Sequence, residues 1–256
     1  MSTLSGKVAI ITGGGQGTGL GIARAYVQEG IAVVITGRTL SHLEDAKAEL
    51  EALVPGARVL IAQGDNRDRE TPARIVAATI EEFGRLDILI NNAQIFHTGI
   101  PVEEITWDQM LATYESGIFA TWQFMVQALP YLKETEGTII NMGSGAGTQS
   151  VAGGGAYGSN KEAIRGMSRI AAREWGKQGI TVNVINPWVH SAESIRFMAD
   201  PAKKAVLDEI LAKTPLGRIG DAELNVGSLC VYLATEGGKY MTGSTFDVEG
   251  GSSMRP

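Results

Sequence analysis

Short runs of aliphatic and β-branched residues alternate with longer amphipathic stretches along this chain of 256 residues. The seven runs are bounded by glycine, asparagine or aspartate and occupy residues 8–13, 32–37, 58–65, 86–93, 137–144, 180–187 and 244–251. They are apolar at consecutive positions rather than at every second one, which is typical of strands buried on both faces. The alternation therefore predicts an α/β protein with a doubly wound Rossmann fold, in which helices cover both faces of a seven-stranded parallel sheet.

The stretches between the runs supply the helices and mark no domain boundary. Residues 69–83, for example, place Ile75, Val76, Ile80 and Phe83 on helical spacing. No linker, internal repeat or low-complexity segment interrupts the pattern, so we expect a single domain over residues 1–256.

One stretch departs from the alternation. Residues 190–218 contain Pro201 and Pro215 and lie between the last strand–helix units. An insertion at this place would lie over the ligand crevice of such a sheet and could act as a lid. The alternative is a surface excursion that carries one amphipathic helix near residues 203–212.

Charge and cysteine content exclude several function classes. The formal net charge of −6 and the lack of a lysine or arginine cluster argue against a nucleic-acid partner. The single cysteine, Cys230, falls in an apolar helical pattern and is expected in the core. No histidine, cysteine and carboxylate cluster has metal-ligand spacing. The polar first residues and the absence of a membrane-length apolar run predict a cytoplasmic protein without a membrane partner.

A glycine-rich turn follows the first strand, in the sequence TGGGQGTGLG at residues 12–21. Gly13, Gly17 and Gly19 permit a tight turn and let the backbone approach a pyrophosphate closely. The helix that follows would present free N–H groups and a positive dipole end to that anion. Its place between strand and helix makes this turn a predicted dinucleotide-binding site.

The end of the second strand predicts which dinucleotide binds. Gly37 occupies the position where a carboxylate would accept hydrogen bonds from the ribose of NAD, and Arg38 and Thr39 follow it. An arginine there can bind a 2′-phosphate, so NADP(H) is favoured over NAD(H), although Arg38 could also be merely solvated. Asp65 at the end of the third strand could bind the adenine amino group or cap the next helix.

Tyr157 and Lys161 are four residues apart and so share one face of a helix. A nearby cation lowers the pKa of a phenol, which could then exchange a proton with a carbonyl or alcohol oxygen. Ser144 ends a strand thirteen residues before Tyr157 and could bring a hydroxyl group beside it. The pair alone could equally be a surface contact.

Taken in order, these motifs resemble the short-chain dehydrogenase/reductase family along essentially the whole chain. The matching pieces are TGGGQGTG (12–19), NNA (91–93), Ser144, YGSNK (157–161), NP (186–187) and TGSTFDVEGG (242–251). The resemblance implies that Ser144 polarises the substrate oxygen, that Tyr157 is the general acid/base, and that Lys161 lowers the tyrosine pKa and holds the nicotinamide ribose. It also implies a homo-oligomer, a dimer or tetramer built on long helices near 103–132 and 155–178. The expected cofactor-binding residues are Gly13, Gln16, Gly17, Thr18, Gly19, Arg38, Thr39, Asp65, Asn66, Asn92, Ala93, Tyr157, Lys161, Pro187 and Val189.

Three departures from the family pattern surround one cleft. Gln94 stands where the family has glycine, and Tyr114 stands where it has an asparagine that serves the proton relay. Either Tyr114 or Ser116 is expected to substitute, or the relay runs differently. Trp188 and Ala192 replace a glycine and a threonine near the nicotinamide, and Ser191 or Ser194 could supply the lost hydroxyl group. The substrate side is accordingly predicted to comprise Gln94, Phe96, His97, Gly145, Gln149, Trp188 and His190.

These features predict an NADP(H)-dependent oxidoreductase that interconverts a ketone and a secondary alcohol, with Ser144, Tyr157, Lys161 and Tyr114 as catalytic residues. Small glycines on one wall and Trp188 on the other favour a bulky, aromatic or polycyclic substrate. One alternative is an NAD-dependent, hydroxysteroid-like secondary-alcohol dehydrogenase. Another is a dinucleotide-binding sensor without catalysis, which the altered residues at 94 and 114 would favour.

Overall fold

A computed structural model describes residues 4–190 and 204–253, and it contains a seven-stranded sheet in the order β3-β2-β1-β4-β5-β6-β7. Every strand pair is parallel. The strands are β1 (Val8–Thr12), β2 (Ala32–Gly37), β3 (Val59–Gln63), β4 (Ile88–Asn91), β5 (Thr138–Met142), β6 (Thr181–Pro187) and β7 (Thr245–Val248). All seven predicted runs form strands, and the predicted doubly wound sheet is confirmed.

The helices alternate with the strands. They are α1 (Gly17–Gln28), α2 (Leu40–Leu53), α3 (Thr71–Phe83), α4 (Trp107–Tyr114), α5 (Ala120–Glu134), α6 (Gly145–Thr148), α7 (Gly155–Trp175), α8 (Lys204–Lys213) and α9 (Ser228–Ala234). A π-helical turn, Glu115–Phe119, joins α4 and α5 into one long helix, and a second π turn, Ala222–Gly227, leads into α9. Helix α3 begins beside a proline and ends at Gly84, whose φ of 74° suits the left-handed conformation of a helix stop.

Two apolar layers cover the two faces of the sheet. Consecutive strand residues alternate between the layers, so that Ile11 and Ile35 belong to one cluster while Ile10 and Val34 belong to the other. Because both faces are buried, each strand must be apolar at every position, which explains the continuous runs in the sequence. Cys230 is completely buried in the first cluster, as predicted, and burial raises the pKa of its thiol.

The reversal of strand order between β1 and β4 positions the site. Thr12 ends β1, and its Oγ1 accepts hydrogen bonds from the backbone N–H groups of Asn92 (2.9 Å) and Ala93 (3.0 Å) just after β4. In open parallel sheets the crevice for ligands lies outside the carboxyl ends of the strands at this reversal. Helix α8 forms where the sequence predicts an amphipathic helix, near residues 203–212. Residues 191–203 of the predicted lid lie outside the described residues.

Candidate active site

The glycine turn after β1 has the backbone that the sequence predicts. Gly13 and Gly17 have φ values of 68° and 53°, which L side chains rarely adopt. A Cβ atom at Gly19 would collide with the carbonyl oxygen of Gly13, so helix α1 can approach the turn only because position 19 is glycine. The side chain of the N-cap residue Gln16 makes no capping hydrogen bond, so the first N–H groups of α1 remain available for an anion.

A cavity of about 280 Å³ opens beside this turn. Its lining comprises Gly13, Gly15, Gln16, Gly17, Thr18, Thr36, Gly37, Arg38, Thr39, His42, Leu43, Gly64, Asp65, Asn66, Asn92, Ala93, Gln94, Ile95 and Ser116. These residues come from the end of β2, from helices α1 and α2, from the loops after β1, β2, β3 and β4, and from the long helix after β4. The glycine cradle, the uncapped helix and the elongated lining fit a dinucleotide.

Most of the predicted cofactor residues meet in this cavity, and a few lie elsewhere. Gly19 is buried in α1, Pro187 ends β6, and Val189 is buried beside Gly220. The sequence analysis missed Thr36 and His42, which also line the cavity. Thr36 lies in β2 and His42 in α2, on either side of Arg38. Their closeness to Arg38 in the sequence could have identified them as cavity residues.

Charged groups gather at the β2–β3 end of the cavity. The side chain of Arg38 is exposed at its rim, and Asp65 forms an ion pair of 2.7 Å with Arg67. Hydrogen bonds from Arg67 lower the pKa of the Asp65 carboxyl group, and the charge of Arg38 adds to the effect. The alternative that Asp65 caps the next helix is wrong, because α3 begins after Glu70.

Lys161 is buried beside Tyr157 on helix α7. Its side-chain Nζ donates a 2.7 Å hydrogen bond to the carbonyl oxygen of Met142 and lies 5.5 Å from the centre of the Tyr157 ring. Only 4% of Lys161 is exposed, and this burial lowers the pKa of its ammonium group to about 7. The bond to Met142 fixes α7 against the end of β5, two residues before Ser144.

Ser144 and Tyr157 therefore come from neighbouring elements at the carboxyl edge of the sheet. The Oγ atom of Ser144 accepts a 3.1 Å hydrogen bond from the N–H of Ala146 at the start of α6. The ring of Phe96 packs edge-on against Tyr157 with 4.5 Å between the ring centres. Because an oxygen that accepts can also donate its own proton, the Ser144 hydroxyl group remains able to donate to a ligand.

The structure does not bring the Tyr114 hydroxyl group to Tyr157 and Lys161. That hydroxyl donates a 3.1 Å hydrogen bond to Ser159, which is exposed on the opposite face of α7. The other residue expected to substitute, Ser116, lines the cavity and binds the N–H of Ile95 at 3.0 Å. The expectation of a catalytic Tyr114 is corrected on this point.

Asn160 explains why the long helix departs from α geometry. It is fully buried, accepts a hydrogen bond from the N–H of Ile118 (2.9 Å) and donates one to the carbonyl oxygen of Thr113 (3.0 Å). The first of these backbone groups lies within the π turn and the second just before it, and the turn has a glycine, Gly117, where a Cβ atom would collide with the Asn160 side chain. Such single π turns are frequent at functional sites, and the sequence analysis gave Asn160 no role.

Besides Gln94, four of the predicted substrate residues precede helix α7 in the chain, and two follow β6. The first four are Phe96, His97, Gly145 and Gln149. Phe96 is 53% exposed over Tyr157, and the Gln149 amide lies beside Gly145. The His97 Nδ1 atom lies 3.0 Å from Thr113 Oγ1, and Thr113 in turn donates to Gln109, so His97 is the donor in this contact.

Trp188 and His190 continue beyond β6. Their backbone N–H groups donate to Val248 and Gly220, respectively. Residues Ser191, Ala192 and Ser194 lie outside the described residues.

Two findings concern only the described part of the chain. Within residues 4–190 and 204–253, no three histidine, cysteine or carboxylate side chains are placed to hold a metal ion. No helix in this part of the chain is long and apolar enough to cross a membrane.

Comparison with known proteins identifies the family to which the chain belongs. A family profile described as "Enoyl-(Acyl carrier protein) reductase" matches residues 13–253. A relative named 12α-hydroxysteroid dehydrogenase, from a Clostridium species, is 44% identical over the full length of both chains. The chain belongs to the short-chain dehydrogenase/reductase family. This confirms the predicted resemblance and makes the protein an NAD(P)-dependent oxidoreductase.

Solved structures of the family share this fold closely. The crystal structure of an NADPH-dependent reductase involved in bacilysin biosynthesis has a TM-score of 0.90 at 27% identity, covering 98% of this chain and 99% of that one. A short-chain dehydrogenase of Burkholderia cenocepacia in complex with NADP has a TM-score of 0.87 at 31% identity, covering 97% of this chain and 98% of the other.

Proposed function

We propose that this short-chain dehydrogenase/reductase uses NADP(H) to interconvert a ketone and a secondary alcohol on a bulky, cyclic or polycyclic substrate. The observation that carries the proposal is the buried Lys161 ammonium group, 5.5 Å from the ring of Tyr157, beside a strand end that supplies Ser144. The phenol beside that lysine adds a proton-transfer group, which binding of a dinucleotide alone does not require. When bound, the nicotinamide supplies or accepts the hydride.

The three side chains divide the proton chemistry between them. In the direction of reduction, Ser144 donates a hydrogen bond to the ketone oxygen and polarises the carbonyl group. Tyr157 donates its phenolic proton to that oxygen as the alcohol forms. When Lys161 is protonated, its positive charge favours the phenolate that remains, and solvent then returns a proton. Oxidation of the alcohol reverses these steps.

The relay that returns the proton is proposed to use Ser116 rather than Tyr114. Ser116 is part of the cavity lining, and its Oγ atom accepts a hydrogen bond from the N–H of Ile95 after β4 and donates one to the carbonyl oxygen of Ala112. The Tyr114 hydroxyl group is bound to Ser159 on the outer face of α7. Replacement of Tyr114 by phenylalanine should therefore preserve turnover, whereas replacement of Ser116 by alanine should reduce it.

The preference for NADP(H) rests on the absence of an acid at Gly37 and the presence of Arg38 at the cavity rim. An arginine at this place can bind a 2′-phosphate through charge-assisted hydrogen bonds. The relative in complex with NADP and the NADPH-dependent structural neighbour support the same choice. Asp65 forms an ion pair with Arg67. Arg38, in the loop after β2, is therefore the arginine that we propose binds the 2′-phosphate.

A polycyclic substrate is supported by the 44% identity to a hydroxysteroid dehydrogenase. Phe96, more than half exposed, offers an apolar surface directly over Tyr157. The second candidate function, an NAD-dependent hydroxysteroid-like dehydrogenase, is favoured by the same identity. The insertion at 190–218, of which residues 191–203 lie outside the described part of the chain, is proposed to act as a lid over the substrate.

Homo-oligomer formation is proposed from the outer face of the long helix. Trp107, Leu111, Phe119, Trp122 and Val126 are large apolar side chains that are exposed there, and Trp107 is 77% exposed. Several large apolar side chains exposed on one helix are typical of a protein–protein interface. Cross-linking or light scattering of the purified protein tests the assembly. The unpaired thiol of Cys230 is compatible with the proposed cytoplasmic location.

The function is tested by measuring NADPH and NADH binding by fluorescence, followed by turnover of ketones of increasing size. Turnover with NADPH that Tyr157→Phe abolishes supports the proposal. Turnover with NADH alone supports the second candidate. Tight binding of a dinucleotide without turnover of any ketone or alcohol identifies a sensor instead.

A further inference from the structure

Gln94 belongs to the lining of the cofactor cavity and carries a buried carboxamide. Its Nε2 and Oε1 atoms are both sealed from solvent, and neither has a hydrogen-bond partner within residues 4–190 and 204–253. A buried amide without partners destabilises the protein, and each such group in a native structure requires an explanation. Binding sites are the usual place where a group is kept unpaired until a ligand supplies its partner.

The neighbours of Gln94 in the chain show where along the cavity it lies. Two residues earlier, the Asn92 side chain donates a 2.9 Å hydrogen bond to the carbonyl oxygen of Thr12 at the glycine turn. Two residues later, the ring of Phe96 packs against Tyr157. Gln94 is therefore placed between the turn that fits a pyrophosphate and the residue proposed to transfer the proton.

The cavity wall around Gln94 belongs to the dinucleotide side of the site. Its neighbours in that wall are Asn92, Ala93, Ile95 and Ser116. Among the described residues, Ser144 and Tyr157 are not part of the lining. A glutamine side chain has three rotatable bonds, so its amide can turn toward a ligand in the cavity that it lines.

We propose that Gln94 binds the ribose on the nicotinamide side of the dinucleotide, donating from Nε2 and accepting at Oε1. That sugar lies between the pyrophosphate and the reacting ring, as Gln94 lies between the turn and Tyr157. Its hydroxyl groups both donate and accept, which matches the two unpaired atoms of one amide. The inference rests on the proposed function, and it moves Gln94 from the substrate side to the cofactor side.

The substitution Gln94→Met tests the role because it keeps the length and approximate volume of the side chain and removes both polar atoms. Two effects of opposite sign are expected. The ligand-free protein should become more stable, with a midpoint of thermal unfolding raised by about 2–4 °C, because an unpaired buried amide is gone. The dissociation constant for NADPH should rise about 10-fold, because the ligand loses its partners.

Two controls separate this role from a general distortion of the cavity. Adenosine 2′,5′-bisphosphate lacks the nicotinamide half and should bind wild type and Gln94→Met equally. Gln28 on α1 is exposed and bound to Glu223, so Gln28→Met should change neither NADPH binding nor the unfolding midpoint appreciably.

Several results would overturn the inference. Unchanged NADPH affinity with a raised KM for the ketone would assign Gln94 to the substrate, and unchanged values of both would leave it no binding role. Equal weakening of NADPH and the adenosine fragment would show a distorted cavity. A wild-type protein that binds neither NADPH nor NADH would refute the proposed function itself, and the role of Gln94 with it.

Discussion

Burial of Lys161 makes a strong prediction about stability. A lysine ammonium with only 4% of the residue exposed is held in the folded protein with a pKa of about 7, against 10.5 when unperturbed. At a pH where Lys161 is charged in both the folded and the unfolded protein, this pKa difference lowers the free energy of unfolding by about 5 kcal/mol. Lys161→Met removes the charge and keeps most of the apolar chain. It also removes the hydrogen bond to Met142 and leaves a carbonyl group unpaired, which costs about 1–3 kcal/mol.

Lys161→Met is therefore expected to raise the free energy of unfolding by about 2–4 kcal/mol at pH 6 while it abolishes turnover. The gain should shrink as the pH rises. Between about pH 7 and 10.5 the unfolded wild type holds a proton on Lys161 that the folded state has released, so wild-type stability increases with pH. From pH 6 to pH 9 this group adds about 2.7 kcal/mol to the wild type and nothing to the variant.

Guanidinium unfolding of the ligand-free proteins at pH 6, 7.5 and 9, at one protomer concentration, measures these differences. Lys177→Met is the matched control, because Lys177 is exposed just after α7 and its replacement should alter neither the stability nor its pH slope. A difference between Lys161→Met and wild type that stays constant from pH 6 to pH 9 would show that the Lys161 pKa is ordinary, and the reasoning from burial would fail.

Three further substitutions, with a fourth as a control, test the site and its support. Tyr157→Phe should lower kcat by a factor of about 10²–10⁴ and leave the NADPH dissociation constant within about twofold, as measured by steady-state rates and fluorescence titration; a variant that retains full turnover would remove Tyr157 from the proton transfer. Arg38→Ala should weaken NADPH binding about 10-fold and leave NADH binding unchanged, because only NADPH carries the 2′-phosphate; equal effects on both cofactors would refute that contact. Gly117→Ala should destabilise the protein by about 2 kcal/mol or more in chemical unfolding, since its Cβ atom collides with Asn160. Gly166→Ala on α7, where a Cβ atom meets nothing within 4 Å, should instead stabilise by about 0.5–1 kcal/mol, and equal effects at the two glycines would contradict the role given to Asn160.

The sheet could be predicted from the sequence because burial on both faces leaves a strong local signal. All seven strands lie within the predicted runs. Most strands are shorter than the run that predicted them, as β4 (Ile88–Asn91) is within 86–93. The long helices near 103–132 and 155–178 were also predicted correctly in their main part, since α7 spans Gly155–Trp175 and the bent helix spans α4 to α5. The strands follow from local periodicity and need no information about distant contacts, whereas these two helices were implied by the family resemblance.

The direction of Tyr114 could not be predicted in the same way. The π turn after it depends on Asn160, a residue of another helix, and it leaves no mark in the hydrophobic spacing of residues 107–134. Ion pairing of Asp65 by Arg67 was missed although the two are neighbours, because either residue alone suggests a ligand or a solvated charge. The unpaired amide of Gln94 required the structure, since it is defined by what surrounds it.

The rate at which the purified protein oxidises NADPH with ketones, from small acyclic to polycyclic, tests the central claim most directly. The account predicts turnover that increases toward cyclic and polycyclic ketones, that is much slower with NADH, and that is lost in Tyr157→Phe. Tight NADPH binding without oxidation by any ketone in the series, or equal rates for wild type and Tyr157→Phe, would contradict it.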